Sequence, residues 1–121
     1  MCFKPKKVAQ MTKKILLSCA GGFSTSLLVN RMKEAAEAEG KDYKIKAVSA
    51  AQIEGICEQD APDCILIGPQ ISYMIDQLKE IANKHHVPLE VIGMQDYGTM
   101  NGKNVIAQAE RLFKYPQVIF I

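Results

Sequence analysis

The residues best able to do chemistry stand together in Lys14-Ile-Leu-Leu-Ser-Cys19-Ala-Gly-Gly-Phe-Ser-Thr-Ser26. An apolar run, Ile15 to Leu17, leads through Ser18 to a thiol. Two glycines and three hydroxyl residues follow, and then an apolar pattern of helical period. That order predicts a strand, a tight loop and a helix start. It sets the Cys19 thiol beside the first-turn amides of a helix, which lack intrahelical partners and sit at the positive end of the dipole. Such a field favours the thiolate, the nucleophilic form of cysteine. A thiolate held there can accept a phosphoryl group. Amides of Ala20, Gly21, Gly22, Phe23, Ser24, Thr25 and Ser26 would hold its equatorial oxygens, and the Ser24, Thr25 and Ser26 hydroxyls add donors. Gly21 and Gly22 let the backbone approach closely.

Hydrolysis would need more than this loop. The phosphatase pattern is cysteine, five residues, then arginine. Here the sixth residue after Cys19 is Thr25, and the nearest arginine, Arg31, lies nearly two turns into the helix. Asp96 is the one obvious acid for a leaving group. The missing arginine therefore favours a loop that holds phosphate and passes it on. The competing readings are a low-molecular-weight-phosphatase-like or arsenate-reductase-like enzyme, and a module whose cysteine senses redox state.

Periodicity supplies the elements that must position this loop. Residues 1–12 are basic and aperiodic, with Lys4, Lys6, Lys7 and Pro5, and read as a flexible extension. Lys14 to Ser18, apolar on both faces, reads as a buried parallel strand. A helix capped at Ser24 or Thr25 buries Leu27, Leu28, Met32, Ala35 and Ala36 and closes at Gly40. Tyr43 to Val48 alternates as an edge strand whose Lys44 and Lys46 discourage pairing. A short helix, Ala50 to Glu58, turns Ile53, Ile56 and Cys57 inward. Asp63 to Ile67 is the most continuously apolar strand and reads as central. Pro69 opens a helix to Lys84 that buries Ile71, Met74, Ile75, Leu78, Ile81 and Ala82, and Val87-Pro88 breaks it. A strand from Leu89 to Ile92, a loop from Met94 to Gly102 and a helix from Asn101 to Lys114 complete the domain. That last helix turns Val105, Ile106, Ala109, Leu112 and Phe113 inward. The apolar tail, Tyr115 to Ile121, reads as an extra edge strand or an unstructured end.

This alternation implies one α/β domain over residues 13–114: an open four-stranded parallel sheet, order 2-1-3-4, with helices on both faces. Ligands of such sheets bind beyond the strands' carboxyl ends, where strand order reverses. That point follows strand 1, where Cys19 stands. Gln70 and Tyr73 begin the third helix at the same end, and Asp96 follows the fourth strand there. All three are candidate contacts for the loop or for a partner.

Composition narrows the classes. A chain of 121 residues with 48% hydrophobic content can build one real core, and a net charge of +2 does not suggest nucleic acid as a partner. Cys2, Cys19, Cys57 and Cys64 form no CxxC pair and have no histidine at metal spacing, so neither a metal site nor a disulfide framework is expected. A reduced, cytoplasmic compartment fits. Lys13-Lys14 before an apolar run and Cys19 resembles a lipoprotein signal only superficially. Ile15 to Leu17 is far short of the roughly 7–15 apolar residues of a signal core. No cofactor is expected.

Two motifs then carry a resemblance. Cys19-Ala-Gly-Gly-Phe-Ser-Thr-Ser-Leu-Leu-Val, with Ile67-Gly-Pro-Gln-Ile-Ser-Tyr-Met74 after the third strand, closely resembles the lactose/cellobiose-type IIB component of the bacterial phosphoenolpyruvate-dependent sugar phosphotransferase system. The resemblance covers about Lys13 to Lys114. It implies that Cys19 accepts phosphate from a phosphohistidine of a IIA protein. Phosphocysteine 19 then donates to a sugar bound by the membrane IIC transporter, a β-linked disaccharide such as cellobiose, lactose or chitobiose. It also implies a phosphotransferase in the cytoplasm, transiently at the inner face of the membrane through IIC.

Overall fold

The computed structural model describes residues 13–18 and 23–114. The extension 1–12, the loop residues 19–22 and the tail 115–121 lie outside the described residues. Elements follow in the order β1 Lys13–Ser18, α1 Phe23–Ala38, β2 Tyr43–Val48, α2 Ile53–Asp60, β3 Cys64–Ile67, α3 Ile75–Lys84, β4 Leu89–Val91, α4 Met94–Gly98 and α5 Gly102–Lys114. Single-turn and longer 3-10 segments, Ala50–Gln52 and Pro69–Met74, lead into α2 and α3. The four strands are parallel in the order β2-β1-β3-β4.

The core follows strand periodicity. Ile15 and Leu17 of β1, with Cys64 and Leu66 of β3, face one layer, formed by Leu28, Val29, Met32 and Ala36 of α1 and Val105, Ile106, Ala109 and Leu112 of α5. Leu16, Ile65 and Ile67 face the other, against Ile53 and Cys57 of α2 and Leu78 and Ala82 of α3. β1 and β3 thus bury both faces, as expected of central parallel strands. β2 is an edge, with Ile45 buried and Lys44 and Lys46 exposed. On the other edge, Gln108 of α5 donates to Glu90 Oε1 at 2.6 Å and to the Val91 carbonyl at 2.9 Å, fixing α5 to β4.

α1 ends as its glycine predicts. Gly40 adopts φ +70°, its N–H donates to the Glu37 carbonyl, and the Lys41 N–H reaches back to Ala36. These two bonds form a Schellman motif, which satisfies carbonyls the helix would leave open. The same motif ends α3, but on a histidine. His86 takes φ 59°, its N–H donates to the Asn83 carbonyl, and Val87 N–H donates to Ala82. The helix therefore stops before Val87-Pro88 is reached.

Several local expectations need correction. α1 begins at Phe23, so Ser24 and Thr25 stand in its first turn and do not cap it. Leu27 is 44% exposed and Val29 is buried in its place. The buried stripe centres on Leu28, Met32 and Ala36, and at 3.6 residues per turn Val29 lies nearer that centre than Leu27 does. The supposed loop after β4 contains α4. There Tyr97 is buried in the α1/α5 layer, and the Asp96 carbonyl accepts the Asn101 N–H. Asn101 is the cap of α5, since its Oδ1 accepts the Asn104 N–H at 3.1 Å. Gly102 then allows α1 and α5 to touch. A Cβ there would lie 2.4 Å from the carbonyl carbon of Arg31.

Candidate phosphoryl-loop site

The site is framed at the carboxyl end of the sheet. β1 ends at Ser18, whose carbonyl accepts the Gly68 N–H at 2.8 Å, so the ends of β1 and β3 are tied together. Ser18 itself is buried, and its hydroxyl has no hydrogen-bond partner in the described structure. α1 starts at Phe23, so the chain has residues 19–22 in which to pass from sheet to helix. Cys19, Ala20, Gly21 and Gly22 lie outside the described residues, as do the side chains of Phe23, Ser24 and Thr25. By helix geometry the N–H groups of Phe23, Ser24 and Thr25 have no carbonyl within the helix to bond. They open toward the end of the sheet at which β1 stops. Ser26 is exposed on the same turn, and Arg31 is exposed farther along α1.

The other candidates gather at this end. Gly68 is extended, Pro69 opens the following 3-10 turn, and Ile71 is buried beneath it. Gln70 is exposed and Tyr73 is 81% exposed. Asp96 stands in the first turn of α4, where its Oδ1 accepts from Asn104 Nδ2 at 3.0 Å. That bond engages the carboxylate with α5. Two large apolar residues join the set without having been expected to. Met94 opens α4 at 78% exposure, and Leu27 projects from the start of α1. Met94 sits in a segment whose composition suggests only a loop, and Leu27 has the spacing of a core residue. An apolar residue directly after a strand, ahead of a helix start, was the available signal for Met94.

The remaining described thiols are unsuited to nucleophilic work. Burial pushes Cys64 well up, with Asp63 and Glu90 adding to the effect, and burial followed by the nearby Glu54 raises Cys57. Both are small core residues, 0% and 4% exposed. His85 and His86 close α3 just before β4 begins, at the amino end of the sheet. Among the described residues no group of three His, Cys, Asp or Glu side chains is placed to hold a metal ion. No described helix is long and apolar enough to cross a membrane.

Fold and site together define a small α/β domain whose candidate site lies at the switch point of a parallel sheet. Residues 14–108 match the family model for the lactose/cellobiose-specific IIB subunit of the phosphotransferase system (PTS). The chain is 47% identical over 103 residues to the galactose-specific EIIB component of Lactococcus lactis subsp. cremoris, covering 83% of this chain and 95% of that one. It has the same identity and coverage with the cellobiose-specific EIIB component of Lactococcus lactis subsp. lactis. The solution structure of the cellobiose-specific IIB component from Borrelia burgdorferi superposes with a TM-score of 0.71 at 33% identity, covering 85% of this chain and 93% of that one. The chain belongs to the lactose/cellobiose-specific IIB family of the PTS. It is a phosphotransferase subunit of a sugar-transport system.

Proposed function

We propose that Cys19 is the phosphoryl carrier of this subunit. It takes phosphate from a phosphohistidine of a IIA protein and gives it to a sugar held by a IIC transporter. In the first step the Cys19 thiolate attacks phosphorus, an S–P bond forms, and the N–P bond breaks with its electron pair returning to nitrogen, so that a ring protonated at its other nitrogen leaves as neutral histidine. In the second, a sugar hydroxyl attacks, an O–P bond forms, and the S–P bond breaks to return the thiolate. The hydroxyl proton passes to solvent water as the new ester forms. Amides at the start of α1, with those of residues 20–22, neutralise charge on the equatorial oxygens in both steps. The donor already has high transfer potential, so stabilising charge and excluding water are the loop's main tasks.

The observation that carries this reading is position. Cys19 directly follows the last residue of β1 at the switch point, and α1 begins four residues later. The surround supports a protein partner as well. Leu27, Tyr73 and Met94, the large apolar side chains exposed among the described residues, follow β1, β3 and β4 respectively. Exposed apolar and aromatic groups grouped this way suit a docking face. Gln70 and Asp96 are polar groups in the same neighbourhood. Gain of roughly two negative charges on phosphorylation would alter which partner this face prefers. The cellobiose named for one relative fits a β-linked disaccharide as cargo, and the galactose named for another is one of the sugar units of lactose, with the domain working in the cytoplasm at the inner membrane face.

The test is incubation with phosphoenolpyruvate, the general phosphotransferase proteins and a IIA protein. Mass spectrometry is expected to find one added phosphoryl on the peptide bearing Cys19, and none in Cys19→Ser. Turnover of an aryl phosphate without that label would overturn the proposal in favour of a hydrolase.

A further inference from the structure

The sequence marks Asp96 as the one obvious acid near the candidate site, but its side chain is engaged elsewhere. We infer, on the docking reading proposed above, that Asp96 is a positioning residue. With Asn104 it clamps α4 to the first turn of α5 and so holds Met94 outward for a protein partner.

α4 cannot stand alone. It has five residues, far below the roughly 12–15 at which an isolated helix becomes marginal. Its end adds a further cost. Met100 takes φ 54°, its N–H donates to the Tyr97 carbonyl at 3.1 Å, and the Asn101 N–H donates to the Asp96 carbonyl at 2.9 Å. This is the Schellman turn again, with methionine in the left-handed place that glycine usually fills. A side chain is disfavoured there, so the turn persists only where its surroundings fix it.

Two side chains fix it. Tyr97 is buried in the α1/α5 layer and anchors the inner side of the turn. Asp96 anchors the bend between the helices, where its Oδ1 accepts from Asn104 Nδ2 at 3.0 Å. A Cβ on Gly93 would lie 3.9 Å from Asp96 Oδ2, so the carboxylate spans from the start of α4 to the first turn of α5. The donor is itself held in place. Asn104 N–H donates to Asn101 Oδ1 at 3.1 Å, within the cap of α5. Asp96 thus ties the bend through its main chain and its side chain at once.

Met94 stands two residues ahead of Asp96 in the same short helix, at 78% exposure. With the clamp closed, its side chain has a fixed base. With the clamp open, α4 frays and Met94 spreads over many positions, so that binding must also order it again. The loss falls on affinity and leaves the chemical step alone once the partner is seated. An acid or a phosphoryl contact at Asp96 would do the reverse, and its removal would slow the step with the partner seated.

The test has two readouts on Asp96→Ala, Asn104→Ala and Asp96→Asn. The first is amide exchange by NMR in the protein alone. The Tyr97, Thr99 and Asn101 N–H groups, which bond within the α4 turn, should exchange about fivefold faster in both alanine variants, while the Ile65 N–H of the core does not change. Asp96→Asn keeps an oxygen that accepts from Asn104 and should restore slow exchange. The second readout is binding and phosphoryl transfer with a IIA protein. Affinity should fall about fivefold in both alanine variants and recover in Asp96→Asn, with the transfer rate at saturating phosphorylated IIA within about twofold throughout. Unchanged exchange, or faster exchange with unchanged affinity, would overturn the inference. So would a saturated rate that drops in Asp96→Asn as it does in Asp96→Ala, which would make Asp96 an acid or a phosphoryl contact. No binding by the parent protein would instead sink the docking reading, and no label on Cys19 the relay. The exchange readout depends on neither.

Discussion

The two ends of the sheet are built on different terms. At the amino end, side chains are tied to one another. Lys14 pairs with Asp60 at 2.5 Å, and its N–H donates to Asp63 Oδ2 at 2.8 Å. Lys41 and Tyr43 converge on Glu110, and Lys13 lies 5.6 Å from the centre of the Phe113 ring. α1 and α3 finish there in Schellman turns. At the carboxyl end α1 begins, and Leu27, Tyr73 and Met94 face outward. Folding alone gives no reason to expose a tyrosine and a methionine so fully. The amino end is tied together by side chains, and the carboxyl end exposes the surface proposed above for a partner. Substitutions at the two ends should therefore fail in different assays.

The largest effect is expected at the proposed phosphoryl loop. Cys19→Ser is expected to bring phosphoryl transfer below detection while the far-UV circular dichroism and melting temperature stay as they are. Between the ends, Gly102→Ala should damage folding. Its Cβ would meet the Arg31 carbonyl carbon and oxygen at 2.4 and 2.5 Å and the Met32 nitrogen at 2.7 Å, all backbone atoms that cannot swing aside. Overpacking of that kind costs about 3 kcal/mol, read as a lower urea midpoint. Tyr73→Ala and Met94→Ala should show the reverse pattern. Each is expected to weaken binding to a IIA protein about tenfold by titration calorimetry, with stability changed by less than about 0.5 kcal/mol. A loss of stability with unchanged binding would mean that the carboxyl end, too, is built for the fold.

Much of this division was legible in the sequence. The bounds of β2 follow from strict alternation after Gly40, and the order 2-1-3-4 follows from strand polarity and the right-handed rule. Cys19 stands out because an apolar strand ends in a thiol just before a glycine pair. What stayed hidden depends on contacts between distant segments. α4 reads as a loop because Asp96 and Gly98 are turn residues, and the burial of Tyr97 depends on cover from the α1/α5 layer. Leu27 has core spacing, but its exposure depends on where α5 lies across α1. The end of α3 rests on a histidine in the left-handed region, while Pro88 offers the more visible stop. Glu110 is 69 residues from Lys41 and 67 from Tyr43, a separation no local pattern reports.

That Glu110 cluster gives the smallest and most specific prediction, because it binds protons. Burial, and then the hydrogen bond to Glu110, pushes the Tyr43 phenol from 10.0 up to about 12. Hydrogen bonds to Glu110 and then Glu39 raise Lys41 as well. Both groups hold their protons more tightly folded than unfolded. Their contribution is therefore complete below the unfolded values and is lost as pH climbs through the folded ones. For Tyr43 that window runs from about pH 10 to about pH 12. The buried Cys64 and Cys57 thiols have the same sign and start the decline just above their ordinary value of 9.0. Stability should be level near pH 8 and fall beyond pH 9. Glu110→Gln should cost about 1 kcal/mol at pH 8, since the carboxylate that accepts from both partners is gone. It should also lessen the decline between pH 10 and pH 12 by the part of the Tyr43 shift that Glu110 supplies, while leaving the part due to burial and to the two thiols in place. Urea titrations of both proteins at pH 8, 9.5 and 11 measure this directly. An unchanged slope at the highest pH would show that burial against Phe113, and not the charge on Glu110, holds the Tyr43 proton.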